Sequence, residues 1–319
     1  SPARAKARPT RAAKTLRDRY NDGMWILTFL VSVALAAAQT NTGGLRVTLT
    51  DAAGAIVENE FFIADLSKQV VGGKDQDSGM LRGLTLKFAG VKLERRFPNR
   101  MHWAPNFQRV GAKGYTGMAA WHPVQKVVRR ESPKSFHHER QGYHADYPEI
   151  RLQATYQFLA GVPYFLFHSV MTIEKPIEVY WLRNQEMTMN DLFTHVAWPA
   201  RDGKPQIVTF DARYEILKRE PIPADVPWVC FFHAEKGYGY GAVILDYKAT
   251  KTANPITSIN DGAENGKYWD RRLINQANTM LGPGDRYEER TAYVVFRASR
   301  EAPLAEFLSW DQRLRREMR

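Results

Sequence analysis

Residues 150–189 read IRLQATYQFLAGVPYFLFHSVMTIEKPIEVYWLRNQEMTM, and this stretch decides the fold class. Polar and apolar residues alternate from Arg151 to Phe158, which is the period of a half-buried strand. Turn residues at Gly161-Val162-Pro163 and at Glu174-Lys175-Pro176 divide the remainder into two further strands. Long strands joined by short turns predict an all-β protein, a large antiparallel β-sandwich.

Strand-like runs bounded by Gly, Pro or Asp continue on both sides of this block, and only the C-terminus changes its period to that of a short helix. Residues 101–149 carry no sustained period, which predicts an irregular binding loop. The other predicted strands are Leu45 to Thr50, Ala55 to Ile63, Leu84 to Phe88, Val91 to Glu94, Gln206 to Asp211, Val226 to His233, Tyr238 to Tyr247 and Arg290 to Arg297.

The run from Met24 to Gln39 predicts a secretory signal. It is uncharged and apolar, ends in small residues, and follows a basic flank. It is shorter than the ~20 apolar residues that span a bilayer comfortably. We therefore expect a leader and signal peptide over 1–38 and a single sandwich domain over 39–319. The expected location is secreted or periplasmic, with no stable membrane span after cleavage. Two alternatives stay open: translation starts at Met24, or the apolar run is not cleaved and anchors the protein in the membrane.

Charge and cysteine content narrow the class of protein. Residues 1–38 hold seven Lys/Arg and two Asp/Glu, so they supply +5 of the formal net charge of +11 and leave +6 for the rest. A mildly basic domain is compatible with an acidic polymer, whereas an exported protein without a basic run is a poor candidate for nucleic acid. The single cysteine, Cys230, lies in an apolar run and is expected to be a buried structural thiol.

Two segments resemble a known superfamily. The block Tyr156 to Met189, with its Gly161-Val162-Pro163-Tyr164-Phe165 turn, and the turn Leu281 to Tyr287 are similar to proteins of the galactose-mutarotase-like β-supersandwich superfamily. The resemblance implies a supersandwich with a sugar-handling role, since that superfamily includes aldose epimerases, polysaccharide lyases and glycoside hydrolase accessory domains. No epimerase active site matches residue by residue, so no catalytic residue is carried over.

The first candidate site lies in the segment from Met101 to Arg109. His102 and Asn106 are candidate catalytic residues, and Trp103 and Arg109 are candidate substrate-binding residues. An aromatic ring stacks on a pyranose face, and carboxamide and guanidinium groups bind hydroxyls or a carboxylate. The alternative is a loop packed by its own aromatic residues.

The second candidate site lies between His137 and Arg151. Tyr143 and His144 are candidate acid–base groups, and Arg151 is a candidate for neutralising a uronate carboxylate. The histidines and carboxylates here make a divalent cation possible as cofactor, although no tight ligand spacing is present. The alternative is a solvated polar loop.

Two further clusters complete the candidates for substrate binding. His195 and Trp198 lie at a predicted strand edge, and Trp269 and Arg271 lie in Lys267-Tyr268-Trp269-Asp270-Arg271-Arg272. Aromatic and guanidinium groups of this kind stack on a sugar and hold an anionic group, or form structural cation–π contacts.

These observations favour an exported carbohydrate-active enzyme, a polysaccharide lyase that cleaves an acidic (uronate) glycan by β-elimination. The expected partner is a polysaccharide or oligosaccharide. A glycoside hydrolase is the first alternative, with Asp146, Glu149, Glu186 and Asp191 as available carboxylates. A non-catalytic glycan-binding module is the second, and an epimerase acting on a free sugar is a further one.

Overall fold

The computed structural model describes residues 39–318 except positions 43, 72–73, 77–78, 95–100, 102–105, 114–123, 145, 211–221 and 263–265. The described elements are β1 (Gln39–Thr42), β2 (Leu45–Leu49), β3 (Ala55–Glu58), β4 (Phe62–Asp65), β5 (Gln69–Val71), β6 (Lys74–Gln76), β7 (Gly83–Leu86), β8 (Val91–Glu94), β9 (Asn106–Arg109), β10 (Val124–Ser132), β11 (Ser135–His144), β12 (Tyr147–Leu159), β13 (Tyr164–Ile173), β14 (Ile177–Met189), β15 (His195–Pro199), β16 (Pro205–Thr209), β17 (Trp228–His233), β18 (Tyr238–Ala249), β19 (Ile256–Gly262), β20 (Gly266–Leu281), β21 (Arg286–Phe296) and α1 (Ala305–Glu317).

Three sheets carry the architecture, and a β5–β6 pair stands apart from them. The large sheet has nine strands in the order β10-β11-β12-β13-β21-β18-β17-β15-β16. The N-terminal sheet runs β1-β2-β3-β4-β7-β8, and the four-stranded sheet runs β19-β20-β14-β9. The pairings between neighbouring strands are antiparallel, as the short turns between them require.

The N-terminal and four-stranded sheets both pack on one face of the large sheet. The Phe62 ring of β4 lies 5.8 Å from the Phe165 ring of β13, and Gln185 Nε2 of β14 donates to Thr291 Oγ1 of β21 at 3.1 Å. Helix α1 covers part of the opposite face, where Phe307 is fully buried against Trp228. The predicted all-β sandwich with a short C-terminal helix is confirmed, and Cys230 is buried as expected.

The sequence predicts one continuous strand from Ala55 to Ile63. This prediction is wrong, because a turn divides the segment into β3 and β4. Asn59 makes this turn. Its Oδ1 accepts hydrogen bonds from Phe61 N at 2.9 Å and from Phe62 N at 3.0 Å. An Asx side chain that bonds the backbone two and three residues ahead competes with the strand ladder.

The segment 101–149 was predicted to be irregular, yet it contains the long strands β10 and β11. The inward positions of β11 explain the difference. They include His138 and Arg140, each 0% exposed, beside the apolar Phe136. A strand whose buried face carries charged or titratable residues shows no apolar alternation, so its period is hidden.

Asn59 also joins the N-terminal sheet to the large sheet, since its Nδ2 donates to Leu159 O and Val162 O, both at 3.0 Å. We expect Asn59→Ala to lower the free energy of unfolding by about 2 kcal/mol, because buried and partly buried backbone groups lose their partners. Gln108→Ala removes an exposed amide-to-carbonyl bond and serves as the control. Equal urea midpoints for the two variants would contradict this role.

Residues 1–38 lie outside the described residues, so the signal-peptide prediction stays a prediction, as does the secreted or periplasmic location. The described residues from 39 to 318 form one compact unit. Among the described residues, no helix is both long enough and apolar enough to cross a membrane.

Candidate functional site

One face of the four-stranded sheet is lined by charged and hydroxyl side chains, and we call it the polar face. Its members come from three adjacent strands, because strand registry pairs Glu186 with Asp270 and Ser258 with Asp270. Paired residues of antiparallel strands point to the same side of a sheet. The polar face comprises Arg183, Glu186, Ser258, Tyr268, Asp270 and Arg272.

A β-bulge assembles this face. Residues three apart on a regular strand point to opposite sides, but the registry of β14 shifts between Arg183 and Gln185. As a result, Arg183 Nη2 lies 3.0 Å from Glu186 Oε2, while Gln185 points to the large sheet. The bulge therefore places a cation and a carboxylate on one side of the sheet.

Asp270 is the centre of the polar face and is 0% exposed. Its Oδ2 accepts hydrogen bonds from Tyr268 Oη at 2.6 Å, Arg272 Nε at 3.2 Å and Arg183 Nη1 at 3.4 Å, and its Oδ1 accepts one from Ser258 Oγ. A buried carboxylate with this many donors is compensated for the loss of its hydration. It holds the surrounding side chains in fixed positions.

Tyr268 and Arg272 bring the polar face to the surface. The Tyr268 side chain is half-buried, and 26% of the Arg272 side chain is exposed. The Arg183 and Arg272 guanidinium carbons lie 5.6 Å and 5.5 Å from the Trp181 ring, and Arg183 lies 5.3 Å from the Tyr268 ring. A phenol, a guanidinium edge and an ordered layer of charges beneath them form a site prepared for a polar ligand.

The first candidate segment from the sequence adjoins the polar face at both of its described ends. Met101 O accepts a hydrogen bond from Thr188 N at 2.6 Å, and Asn106 of β9 pairs with Arg183. His102 and Trp103 lie outside the described residues, as does the side chain of Asn106. Their predicted roles stay predictions, but the chain that carries them is attached to β14 on either side of Glu186.

The second candidate segment places Tyr143 and Arg151 opposite each other on β11 and β12. Tyr143 Oη donates to Glu174 Oε2 at 2.7 Å, and Arg151 Nη1 lies 3.9 Å from Glu174 Oε1. The hydrogen bond to Glu174 raises the pKa of Tyr143, which makes its deprotonation harder. His144 ends β11, and its side chain lies outside the described part.

Arg109 and His195 lie apart from the polar-face network. The exposed Arg109 is paired with Glu149 at 3.0 Å. His195 stacks on Phe232 at 4.9 Å, and burial lowers the pKa of its imidazole. Both side chains reach solvent, so both stay candidates for contact with a ligand.

Trp198, Trp269 and Arg271 are packed inside, with exposed fractions of 2%, 0% and 3%. Arg271 Nη2 donates to Val226 O at 2.6 Å, and its guanidinium lies 4.9 Å from the Tyr247 ring. Burial lowers the pKa of Arg271. Arg271 and Tyr247 nevertheless line a cavity of about 440 Å³, so Arg271 is the member of this group that borders open space.

The sequence analysis selected the segment 267–272. Its two candidates there, Trp269 and Arg271, lie on the face of the sheet that is opposite the polar face. Alternation along β20 puts Trp269 and Arg271 on the side of the large sheet, and Tyr268, Asp270 and Arg272 on the polar face. The alternating spacing was a signal that could have separated the two sets. Glu186 was named only as an available carboxylate, and the bulge that pairs it with Arg183 carries no clear sequence signal.

Among the described residues, no group of three or more His, Cys, Asp or Glu side chains is arranged so that it could hold a metal ion. The possible divalent cation stays a prediction that concerns the candidate segments as a whole.

No family model matches the chain, and no curated protein matches it. A galactose mutarotase-like protein from Lactobacillus casei is 12% identical with a TM-score of 0.45, covering 76% of this chain and 99% of that one. A mutant heparan sulfate lyase HepC from Pedobacter heparinus is 10% identical with a TM-score of 0.42, covering 82% and 37%. An α-N-acetylgalactosaminidase from Bifidobacterium bifidum is 8% identical with a TM-score of 0.48, covering 88% and 39%.

The first of these proteins is described as galactose mutarotase-like, which is the superfamily that the sequence resembles. This chain spans only 37% and 39% of the other two proteins. At TM-scores below 0.5, none of the three carries an argument about activity.

Proposed function

We propose that the protein acts on an anionic glycan at the polar face and cleaves it by β-elimination. The observation that carries the proposal is the arrangement of Tyr268 and Arg272 over the buried Asp270, because the three supply an acid–base group, a carboxylate-binding group and a carboxylate that orients both.

β-Elimination removes the proton from the carbon next to the uronate carboxylate and expels the glycosidic oxygen. The developing charge on the carboxylate requires a cation, and the exposed edge of Arg272 supplies one. The proton requires a base, and the leaving oxygen requires an acid. In the proposed step the phenolate form of Tyr268 takes the carbon-bound proton and passes it to the glycosidic oxygen as that bond breaks, while Asp270 orients the Tyr268 hydroxyl through their 2.6 Å hydrogen bond.

Tyr268 fits this role better than Tyr143. The Tyr143 hydroxyl is held by Glu174, whose hydrogen bond raises the pKa of Tyr143. Tyr268 also donates to a carboxylate, Asp270. It differs from Tyr143 in that Arg272, which supplies the cation for the substrate carboxylate, donates to the same Asp270. His102, Asn106, His144 and Arg151 remain proposed participants, and Asn106 has its backbone beside Arg183. Tyr143 remains the alternative acid–base group, which the next experiment tests against Tyr268.

We expect Tyr268→Phe to lower the rate of turnover about a hundredfold, the typical contribution of one acid–base group. The measurement is the ultraviolet absorbance of unsaturated uronates released from alginate, ulvan, pectate and glycosaminoglycans. Tyr143→Phe is the matched control and should leave the rate nearly unchanged. A loss confined to Tyr143→Phe would move the acid–base site to the edge of the large sheet.

A glycoside hydrolase is the second candidate, because the polar face also brings together two carboxylates, Glu186 and Asp270, on either side of Arg183. Hydrolysis requires one carboxyl group that keeps its proton, whereas both of these form an ion pair with a guanidinium. Reducing ends released without ultraviolet absorbance, and abolished by Glu186→Gln, would establish hydrolysis. Binding without any turnover would indicate a glycan-binding module.

A further inference from the structure

A polar pocket lies on the face of the large sheet that is opposite the four-stranded sheet. It has a volume of about 200 Å³, and its lining includes His137, Thr155, Gln157, His168 and Arg290 from four neighbouring strands. The end of the C-terminal helix segment borders it through Met318. Strand registry aligns Thr155, His168 and Arg290 in one row across the sheet.

Arg290 is the notable member of this pocket, because it is exposed and its guanidinium makes no hydrogen bond or ion pair to another residue of the described part. Its neighbours in the row have partners of their own. His168 Nε2 lies 2.7 Å from Glu288 Oε1, and Asp246, which pairs with Arg290 in registry, contacts Lys248 at 3.0 Å. A guanidinium that faces a pocket without a carboxylate partner is suited to bind an anion from outside.

The remaining lining suits a sugar ring. Gln157, Thr155 and His137 offer a carboxamide, a hydroxyl and an imidazole for hydrogen bonds, while Leu166 and Leu245 offer aliphatic surface. The volume of about 200 Å³ matches the size of one sugar ring. Hydroxyl-binding groups around one cation therefore indicate a ligand that combines a single ring with a negative charge.

We propose that this pocket binds one acidic sugar residue, with Arg290 pairing with its carboxylate. The pocket's own chemistry points to a small anion with hydroxyl groups, and the choice of a sugar acid also rests on the proposed glycan function. Such a site lies on the opposite side of the large sheet from Tyr268, so it would hold a polymer away from the reacting bond rather than take part in the reaction.

Isothermal titration calorimetry of the full chain with glucuronate, glucose and acetate tests the proposal. We expect glucuronate to bind at least about tenfold more tightly than either glucose, which lacks the charge, or acetate, which lacks the ring. Equal affinity for acetate would overturn the recognition of a ring, and equal affinity for glucose would overturn the recognition of an anion.

Substitutions in the pocket test whether glucuronate binds there. Arg290→Gln should weaken glucuronate binding at least about tenfold, the loss expected for one charged hydrogen-bonded pair. Arg300→Gln, an exposed arginine beyond the end of β21, should leave it unchanged. If Arg290→Gln does not fold, Gln157→Ala serves as the second variant. It keeps the charge of Arg290 and should also weaken glucuronate binding. Unchanged binding in both pocket variants would overturn the inference.

The same titrations separate this inference from the proposed function. Tyr268→Phe should abolish most turnover and retain glucuronate binding at the Arg290 pocket. If binding instead disappears with Arg272→Gln and persists in Arg290→Gln, the sugar acid binds at the polar face alone. That result would overturn the second site and leave the proposed function standing.

Discussion

Replacing Asp270 by asparagine is expected to lower the free energy of unfolding by about 3–5 kcal/mol and to abolish turnover of glycan. The carboxylate is fully buried and accepts hydrogen bonds from Arg183, Arg272, Tyr268 and Ser258. Asparagine keeps the shape but removes the charge, so a buried guanidinium loses part of its compensation. Breaking a buried ion pair from one side is among the most costly single changes known in proteins.

Urea unfolding at neutral pH measures the effect on stability, with Asp202→Asn as the matched control. Asp202 is also paired with a cation, Lys204 at 3.8 Å, but 59% of its side chain is exposed. An exposed pair of this kind contributes about 0–1 kcal/mol. If both variants lose less than about 1 kcal/mol, Asp270 does not organise the polar face, and the site must be sought elsewhere.

Replacing Glu289 by glutamine is expected to remove a dependence of stability on pH that amounts to roughly 5 kcal/mol between pH 4.5 and pH 8. Glu289 is 0% exposed on the inner face of β21. Burial raises the pKa of Glu289 to about 8, although the nearby Arg271 charge acts in the opposite direction. The protonated carboxyl is thus the form that the folded protein holds at neutral pH.

The sign follows from the protons bound in each state. Below pH 4.5 the carboxyl is protonated in both the folded and the unfolded chain, so its contribution to stability is fully present. As the pH rises to about 8, the unfolded chain releases this proton first, and unfolding becomes easier. Glutamine resembles the protonated acid at every pH, so the stability advantage of Glu289→Gln over the natural chain should grow with pH.

Glu288→Gln provides a control of opposite sign on the adjacent residue. Partial burial acts to raise the pKa of Glu288, but hydrogen bonds from His168 and Arg286 outweigh it and lower that pKa. Its contribution to stability is therefore present at neutral pH and is lost as the pH falls. In urea unfolding from about pH 3 to pH 8, the advantage of Glu289→Gln over the natural chain should grow above pH 4.5. The deficit of Glu288→Gln should stay constant there and shrink only as the pH falls below 4.5. Parallel trends would refute the protonation state assigned to Glu289.

Part of the candidate site was accessible from residue type alone. The hexapeptide 267–272 stood out for its mixture of aromatic and charged residues, and it does contain Tyr268, Asp270 and Arg272. The sequence does not show which alternate residues of this hexapeptide face outward, because the pair Trp269 and Arg271 and the pair Tyr268 and Arg272 each combine an aromatic ring with an arginine. The identity of the opposing layer, here the large sheet behind Trp269 and Arg271, decides that question.

The sequence by itself determined the sandwich class, the position of the central strands and the C-terminal helix. These follow from local alternation and turn residues, which act within a few positions of the chain. Only the tertiary structure decided that Arg183 and Glu186 share a face. A bulge places them there, and its stability depends on Asp270 and Gln185 meeting partners about 100 residues away. Contacts over such separations leave no periodic trace in the sequence, so the polar face could not be read from it.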